Sequence, residues 1–467
     1  MTKTLKLYTF AVDTQPENLR HGTSAFASLQ RHTITATQPK TMATVVFPFL
    51  ALYTAVFLLL AGIGLLGTYL PLQLTLAGVP AQTIGLVTSS YFAGMLVGAF
   101  QCHRLVQSVG HIRSFAAFAA LVTAVVMLHG LYMEPIFWGI LRFLAGIATI
   151  GLYMVIESWL NECSLPHLRG KVLAMYMVMS YLGMGVGQQL LNLGNSYSLP
   201  LFYLVGLLLA LCLVPITLTH SIYPQLPAVE RINAFELFRK APTGMLGCVC
   251  AGLLSSAFYA IGPVFCHQIG LSVSQLTTVM TATIFGGMAL QWPIGTVSDR
   301  CDRTYVLIFL GFMVMVLGIV IFFFAATSYG VLLVLMTVFG GMTFSLYPVA
   351  VARAHDIFEP RDIVAVSSVL LLSYGTGAAA GPLLASMVMA SLDSVYGLFA
   401  FCSLVGGSYA LLTLFLRSQK IITVVEPEDN SDFVLLKSSS PVAATIIAPD
   451  EEEIAAAETA ATGQETK

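Results

Sequence analysis

Charge is what this 467-residue chain has least of: Asp, Glu, Lys and Arg together make up 9%, against about 25% in an average soluble domain. That shortage excludes an ordinary soluble globule, and 57% hydrophobic residues with a mean hydropathy of +0.84 stand in its place. Soluble chemistry is missing as well. The chain has no His-Glu-x-x-His, no nucleotide-binding glycine loop, no Ser-His-Asp arrangement, and no connector long enough to hold a catalytic domain. No enzyme activity, cofactor, metal site or nucleic-acid partner is therefore expected. The eight cysteines are scattered and only Cys266 falls near a predicted outer face, so no disulfide framework is indicated. Cys248-x-Cys250 has the wrong spacing for a zinc knuckle and reads as apolar packing. The net charge of −2 carries no information about partners.

What is present is a series of apolar runs, each near the ~20 residues that span a hydrocarbon core. They lie near 44–71, 82–101, 113–133, 136–160, 172–194, 200–219, 244–266, 274–296, 305–326, 330–352, 363–389 and 395–416. Twenty of the 21 Lys and Arg residues lie outside these runs or, like Arg113, at their very edge, and with both termini inside, all twenty fall on one face. Charge played no part in drawing the runs, so the positive-inside rule tests them independently. The expectation is an all-α membrane protein of twelve transmembrane helices, multi-pass in an inner (cytoplasmic) membrane with both termini cytoplasmic. Its outer loops fall near 72–81, 134–135, 195–199, 267–273, 327–329 and 390–394.

Five regions are predicted. Residues 1–43 form a polar extension without an apolar h-region, either a disordered tail or a segment upstream of a start at Met42. A six-helix bundle over 44–219 is joined by a cytoplasmic linker, 220–243, to a second bundle over 244–416. In the linker, Phe235-Glu-Leu-Phe-Arg-Lys240 suits a short amphipathic helix on the inner surface. Residues 417–467, with Glu426-Pro-Glu-Asp429 and Asp450-Glu-Glu-Glu453, read as a disordered acidic tail.

The bundles repeat one another. Leu152-Tyr153 recurs as Leu346-Tyr347, Gly146 as Gly340 and Pro166 as Pro360, at an offset of 194. Ser180-Tyr181 recurs as Ser373-Tyr374 at 193, and Gly98 aligns with Gly295 at 197. Parallel repeats of this kind build transporters whose substrate sits between the halves near the midplane.

Gly295-Thr-Val-Ser-Asp299-Arg300-Cys-Asp302-Arg303 resembles the inner-loop signature of the major facilitator superfamily. Arg142-x-x-x-Gly146 is similar to that superfamily's membrane-embedded Arg motif, and Gly377-Ala-Ala-Ala-Gly381-Pro382 to its Gly-Pro helix motif. Val155-Ile-Glu-Ser158, Gln291-Trp-Pro-Ile-Gly295 and Leu346-Tyr-Pro-Val349 resemble the YcaD-type branch of bacterial carriers. The resemblance covers about 42–420 and implies the major facilitator fold and secondary transport. It also implies an inner gate of Gly295, Asp299, Arg300 and Arg303, unless those charges serve only as topology anchors. Two departures stand out. In the first half, Gly98 leads to Cys102-His103-Arg104, with Cys102 in the place of the family's Asp, and in the second half Asp302 replaces a Gly. The Gly-Pro motif lies in span 11, whereas span 5 has Gly183-x-Gly185-x-Gly187-Gln188, so no export direction follows.

Span 4 holds the most chemistry. Arg142, Gly146, Thr149, Tyr153 and Glu157 share one helical face, and Arg142 and Glu157 are the only Arg and Glu inside any span. At about 1.5 Å per residue they lie roughly 22 Å apart and cannot pair. The stripe reads as a cavity wall, with Glu157 alternatively reaching the inner surface to meet a loop cation such as Arg169. Gln188 and Asn192 on span 5, Ser255 and Tyr259 on span 7, Gln291 on span 8, and Tyr347 and Tyr374 are further candidates for a substrate and proton pathway, or for interhelical glue. The methionines of span 5 (Met175, Met177, Met179, Met184) suit an adaptable apolar wall or ordinary core. With so few charges, a small amphipathic, apolar or singly anionic solute fits better than a sugar phosphate or nucleotide. The leading expectation is a monomeric, proton-linked carrier in lipid, working by alternating access. A facilitative uniporter and a non-transporting receptor or sensor remain the alternatives.

Overall fold

The computed structural model describes residues 49–164, 168–194, 200–218, 233–359 and 362–419. The expected N-terminal extension, the acidic tail, most of the linker and the loop 195–199 lie outside these residues.

Long helices account for nearly all the rest. The first half contains α1 (Leu50–Leu76), α2 (Ala81–Val109), α3 (His111–His129), α4 (Pro135–Cys163), α5 (Arg169–Leu190), α6 (Pro200–Leu211) and α7 (Leu213–Thr217). The second contains α9 (Pro242–Gln268), α10 (Val273–Arg300), α11 (Arg303–Phe324), α12 (Tyr329–His355), α13 (Ile363–Ser391) and α14 (Gly397–Ser418), with the short α8 (Ala234–Lys240) between the halves. Ten of these helices are long and apolar enough to cross a membrane. α5 and the α6–α7 pair, interrupted at Cys212, complete the twelve spans of an all-α, multi-pass membrane protein.

The helices outrun the apolar runs because hydropathy reports the hydrocarbon layer, whereas a helix continues until a cap or turn satisfies its terminal groups. α2 reaches Val109 and stops at Gly110 (φ +90°), a conformation open almost only to glycine. α1 runs to Leu76, which shrinks the loop expected over 72–81 to 77–80. Glu134 caps α4 by accepting from the Phe137 N–H at 2.7 Å, with Pro135 in the first turn. Ser272 and Gln275 form a reciprocal capping box at the start of α10. The helix expected in the linker is α8: Leu237 is buried, Phe235 and Phe238 are exposed, and Glu236 pairs with Lys240 at 2.8 Å.

Packing repeats between the halves: α2 on α4 matches α10 on α12, α1 on α5 matches α9 on α13, and α3 on α6 matches α11 on α14. The halves meet where α2 packs on α13 and α5 on α10. Glycine makes the tightest crossings. A Cβ on Gly146 would lie 2.0 Å from the Tyr91 carbonyl oxygen, and one on Gly340 2.0 Å from that of Thr283.

These crossings correct the register read from sequence. Tyr91 to Thr283 and Gly94 to Gly286 fix an offset of 192 along spans 2 and 8, since Gly94 meets Phe143 as Gly286 meets Thr337. Gly295 therefore corresponds to His103, not Gly98, and Asp299 to Gln107, not Cys102. In span 5, Gly183 and Gly187 cross α1 as Gly377 and Gly381 cross α9, an offset of 194. Tyr374 is thus the counterpart of Ser180, and the Ser-Tyr match was one residue out of register. A one-residue slip turns a helix by about 100°, so matching letters misled where backbone contact does not.

Candidate functional site

A cavity of about 100 Å³ lies between the halves. α4 contributes Arg142 and Tyr153, α5 contributes Tyr181, Met184 and Gln188, and α2 contributes Thr88, Tyr91, Phe92 and Met95. The second half supplies Tyr259 and Ala260 from α9, Phe344 from α12 and Tyr374 from α13. Of the residues expected to form a pathway, Arg142, Tyr153, Gln188, Tyr259 and Tyr374 are brought together here. Of the span 5 methionines only Met184 reaches it.

Arg142 is 8% exposed, with its guanidinium carbon 4.1 Å from the centre of the Tyr91 ring. A cation over an aromatic face is attracted by the ring quadrupole. It makes no ion pair among the described residues, and its Nε finds no acceptor there. Tyr91 was not singled out in the sequence, because an aromatic residue in an apolar run looks like core; its spacing from Gly94, one turn away, was the available signal. Thr149 does not line the cavity. Its hydroxyl donates to the Ala145 carbonyl at 2.8 Å, beneath Tyr91.

Glu157 is also set back. It is fully buried and accepts from the Tyr176 hydroxyl at 2.9 Å. Tyr153, one turn earlier on α4, faces both the cavity and the neighbourhood of Tyr176. The shared face of span 4 is therefore divided between a cavity wall and a layer behind it.

Gln188 ties helices together as well as lining the cavity. Its amide donates to the Gly64 carbonyl at 3.1 Å and accepts from the Thr68 hydroxyl. Gln291 and Tyr347 stand behind the aromatic wall: Gln291 donates to the Phe344 carbonyl at 3.2 Å, and Tyr347 meets Tyr374 edge-on at 5.2 Å. Tyr259 stacks on Phe344 at 5.5 Å, which fixes that side of the cavity. Ser255 is buried on α9 outside the lining, as are Cys248 and Cys250.

At one end of the cavity the halves are joined by hydrogen bonds between the end of α5 and the start of α10. Gln189 donates to the Thr281 hydroxyl at 2.8 Å and to the Thr277 carbonyl at 3.3 Å, and Asn192 donates to the Thr277 hydroxyl at 3.0 Å. Asn192 was a pathway candidate in the sequence and is placed here instead.

The residues of the expected inner gate lie at the far end of the second half. Arg303 is fully buried, donates to Asp299 at 2.7 Å and to the Ser298 hydroxyl at 3.2 Å, and pairs with Asp356, which follows the end of α12. Gly295 is buried nearby, while Arg300 is exposed and makes no ion pair among the described residues. Asp302, the departure from the family's Gly, has its own work. It caps α11 by accepting from the Thr304 N–H at 2.8 Å and pairs with Arg417 of α14, whose guanidinium lies 4.1 Å from the Tyr305 ring centre. Asp356 and Arg417 were missed because a charge near a span end looks like a topology anchor.

The sequence profile of the Major Facilitator Superfamily matches residues 52–272 and again 244–448. The chain is 31% identical over 380 residues to the uncharacterized MFS-type transporter YcaD of Salmonella newport (strain SL254) and of Salmonella typhimurium (strain LT2), covering 81% of this chain and 97% of theirs. Its fold matches the crystal structure of the nucleoside transporter NupG at a TM-score of 0.64, with 16% identity over 79% of this chain and 98% of that one. It matches a bacterial homolog of the human lysosomal transporter Spinster, in an inward-facing and unoccupied conformation, at 0.61, with 15% identity over 84% and 99%. Duplicated helices, a cavity between the repeats and these relatives agree: the chain belongs to the major facilitator superfamily of membrane transporters.

Proposed function

We propose that this protein is a secondary active transporter that moves a small amphipathic or weakly charged solute by alternating access, coupled to protons. The observation that carries the reading is the cavity, which draws its walls from both repeats and is bounded at one end by hydrogen bonds between them. Rocking the repeats about such a site is how parallel-repeat carriers expose it alternately to each side. The one-sided Lys and Arg distribution supports a bacterial cytoplasmic membrane with both termini inside. Coupling is assigned to Glu157, among the described residues the one carboxylate buried in a span and separated from the cavity by a layer of tyrosine. A monomer with two complete repeats suffices for this cycle.

A facilitative uniporter is the second reading, favoured by the one fact that Glu157 does not line the cavity. Both readings require the α5–α10 contact to open. Cysteines at Gln189 and Thr281, with the exposed Cys301 replaced by Ser, place two thiols across it. Mild oxidation should abolish uptake into proteoliposomes of any solute that thermally stabilises the pure protein, and reduction should restore it. Full uptake by the cross-linked protein contradicts alternating access at this contact.

A further inference from the structure

The cavity's charge balance deepens this reading, and the inference rests on it. No Asp or Glu lines the cavity, yet Arg142 does, buried and permanently charged. The neighbouring groups do not neutralise it. Tyr91 offers only its ring face, and His129, the other titratable group near it, brings no negative charge. Glu134 is committed to capping α4 two turns away, and Glu157 lies about 22 Å along the helix. An uncompensated charge inside a membrane is costly and marks a ligand or ion path. The guanidinium also has a geometry to offer, a planar fork that matches a carboxylate. Nε, without an acceptor among the described residues, is one prong of that fork.

We propose that Arg142 is the anion-binding residue of the cavity, and that the solute is a small monocarboxylate with a short apolar body. One cation balances one negative charge, which disfavours phosphates and dicarboxylates and repels amines. Phe92, Met95, Met184 and Phe344 provide an apolar surround for the body. The cavity is compact, about 100 Å³, against the roughly 150 Å³ of an apolar cavity that holds benzene. A short apolar body suits a space of that size.

Thermal unfolding of the purified full chain with butyrate, butyramide, n-butylammonium and sodium chloride at matched ionic strength tests this. Butyrate should stabilise the protein in a saturable way. Butyramide, of the same shape without charge, should bind at least tenfold more weakly, and butylammonium should not bind. Arg142→Gln should bring butyrate down to the level of butyramide. Arg142→Lys, which keeps the charge and loses the fork, should fall between them. The ligand series with the unmutated protein decides the matter even if neither variant folds. Equal stabilisation by butyrate and butyramide, or by butyrate and chloride, overturns the assignment. Binding of butyrate without its uptake into proteoliposomes refutes the carrier reading and leaves the site intact. Uptake of some other solute by a protein that ignores butyrate refutes the site and leaves the carrier.

Discussion

Arg142 in α4 and Met336 in α12 occupy the same place in the two repeats, 194 residues apart, as do Glu157 and Val351. All four are buried. The second repeat keeps its charge elsewhere, at the far end of the bundle, where Arg303 joins Asp299 to Asp356 and Arg417 holds Asp302. The first repeat has His111 where the second has Arg303, Gln107 for Asp299 and Gly110 for Asp302. Duplication fixed the helix crossings, which depend on close backbone approach and tolerate little change. The side chains facing the cavity and the ends were free to diverge, so one repeat came to hold Arg142 on the cavity wall and Glu157 behind it, and the other the ion pairs at the far end.

The largest expected effect comes from breaking the paired end. Arg303→Gln takes from the buried Asp356 carboxylate its paired guanidinium, leaving the neighbouring buried Arg353 as a cation beside it, and loss of one partner of a buried pair costs up to about 3–5 kcal/mol. His111→Gln, at the equivalent place, exchanges a neutral contact with the Ser158 hydroxyl (3.0 Å) for another and should cost about 1 kcal/mol. Thermal unfolding in detergent should show a large shift for the first and a small one for the second. Equal shifts would mean that the repeats do not differ at this end.

A smaller effect separates the two turns. Asp302→Gly removes a helix cap, worth about 1 kcal/mol, and a partly exposed ion pair that adds little. Gly110→Asp forces a side chain into a backbone region that only glycine favours, at a cost on the order of 1–3 kcal/mol. Both variants should be destabilised in the same unfolding measurement, the first-repeat variant at least as much. A neutral Gly110→Asp would show that the turn relaxes and that the repeats are interchangeable there.

Much of this was legible beforehand. Twelve spans follow from hydropathy because lipid demands long apolar helices, and Arg142 announced itself by its cost at membrane depth. Tyr153, Gln188, Tyr259 and Tyr374 followed from polarity in apolar runs. Depth behind the cavity was not legible. Thr149, Glu157, Gln291 and Tyr347 carry the same polar signal as the lining residues but face neighbouring helices, which only packing decides. Tyr91 and Phe344 carry no polar anomaly at all. Arg300 and Arg303 read alike in sequence, yet the start of α11 turns one inward and leaves the other exposed.

The central claim, that the first repeat carries the coupling chemistry, is tested most directly by comparing Glu157→Gln with the unmutated protein in proteoliposomes under an imposed pH gradient. The solute is one that binds the purified protein, and both gradient-driven accumulation and counterflow exchange are measured. The amide keeps the shape and the contact with Tyr176 but cannot exchange a proton. The account predicts that Glu157→Gln retains exchange and loses accumulation. Accumulation equal to that of the unmutated protein would contradict it.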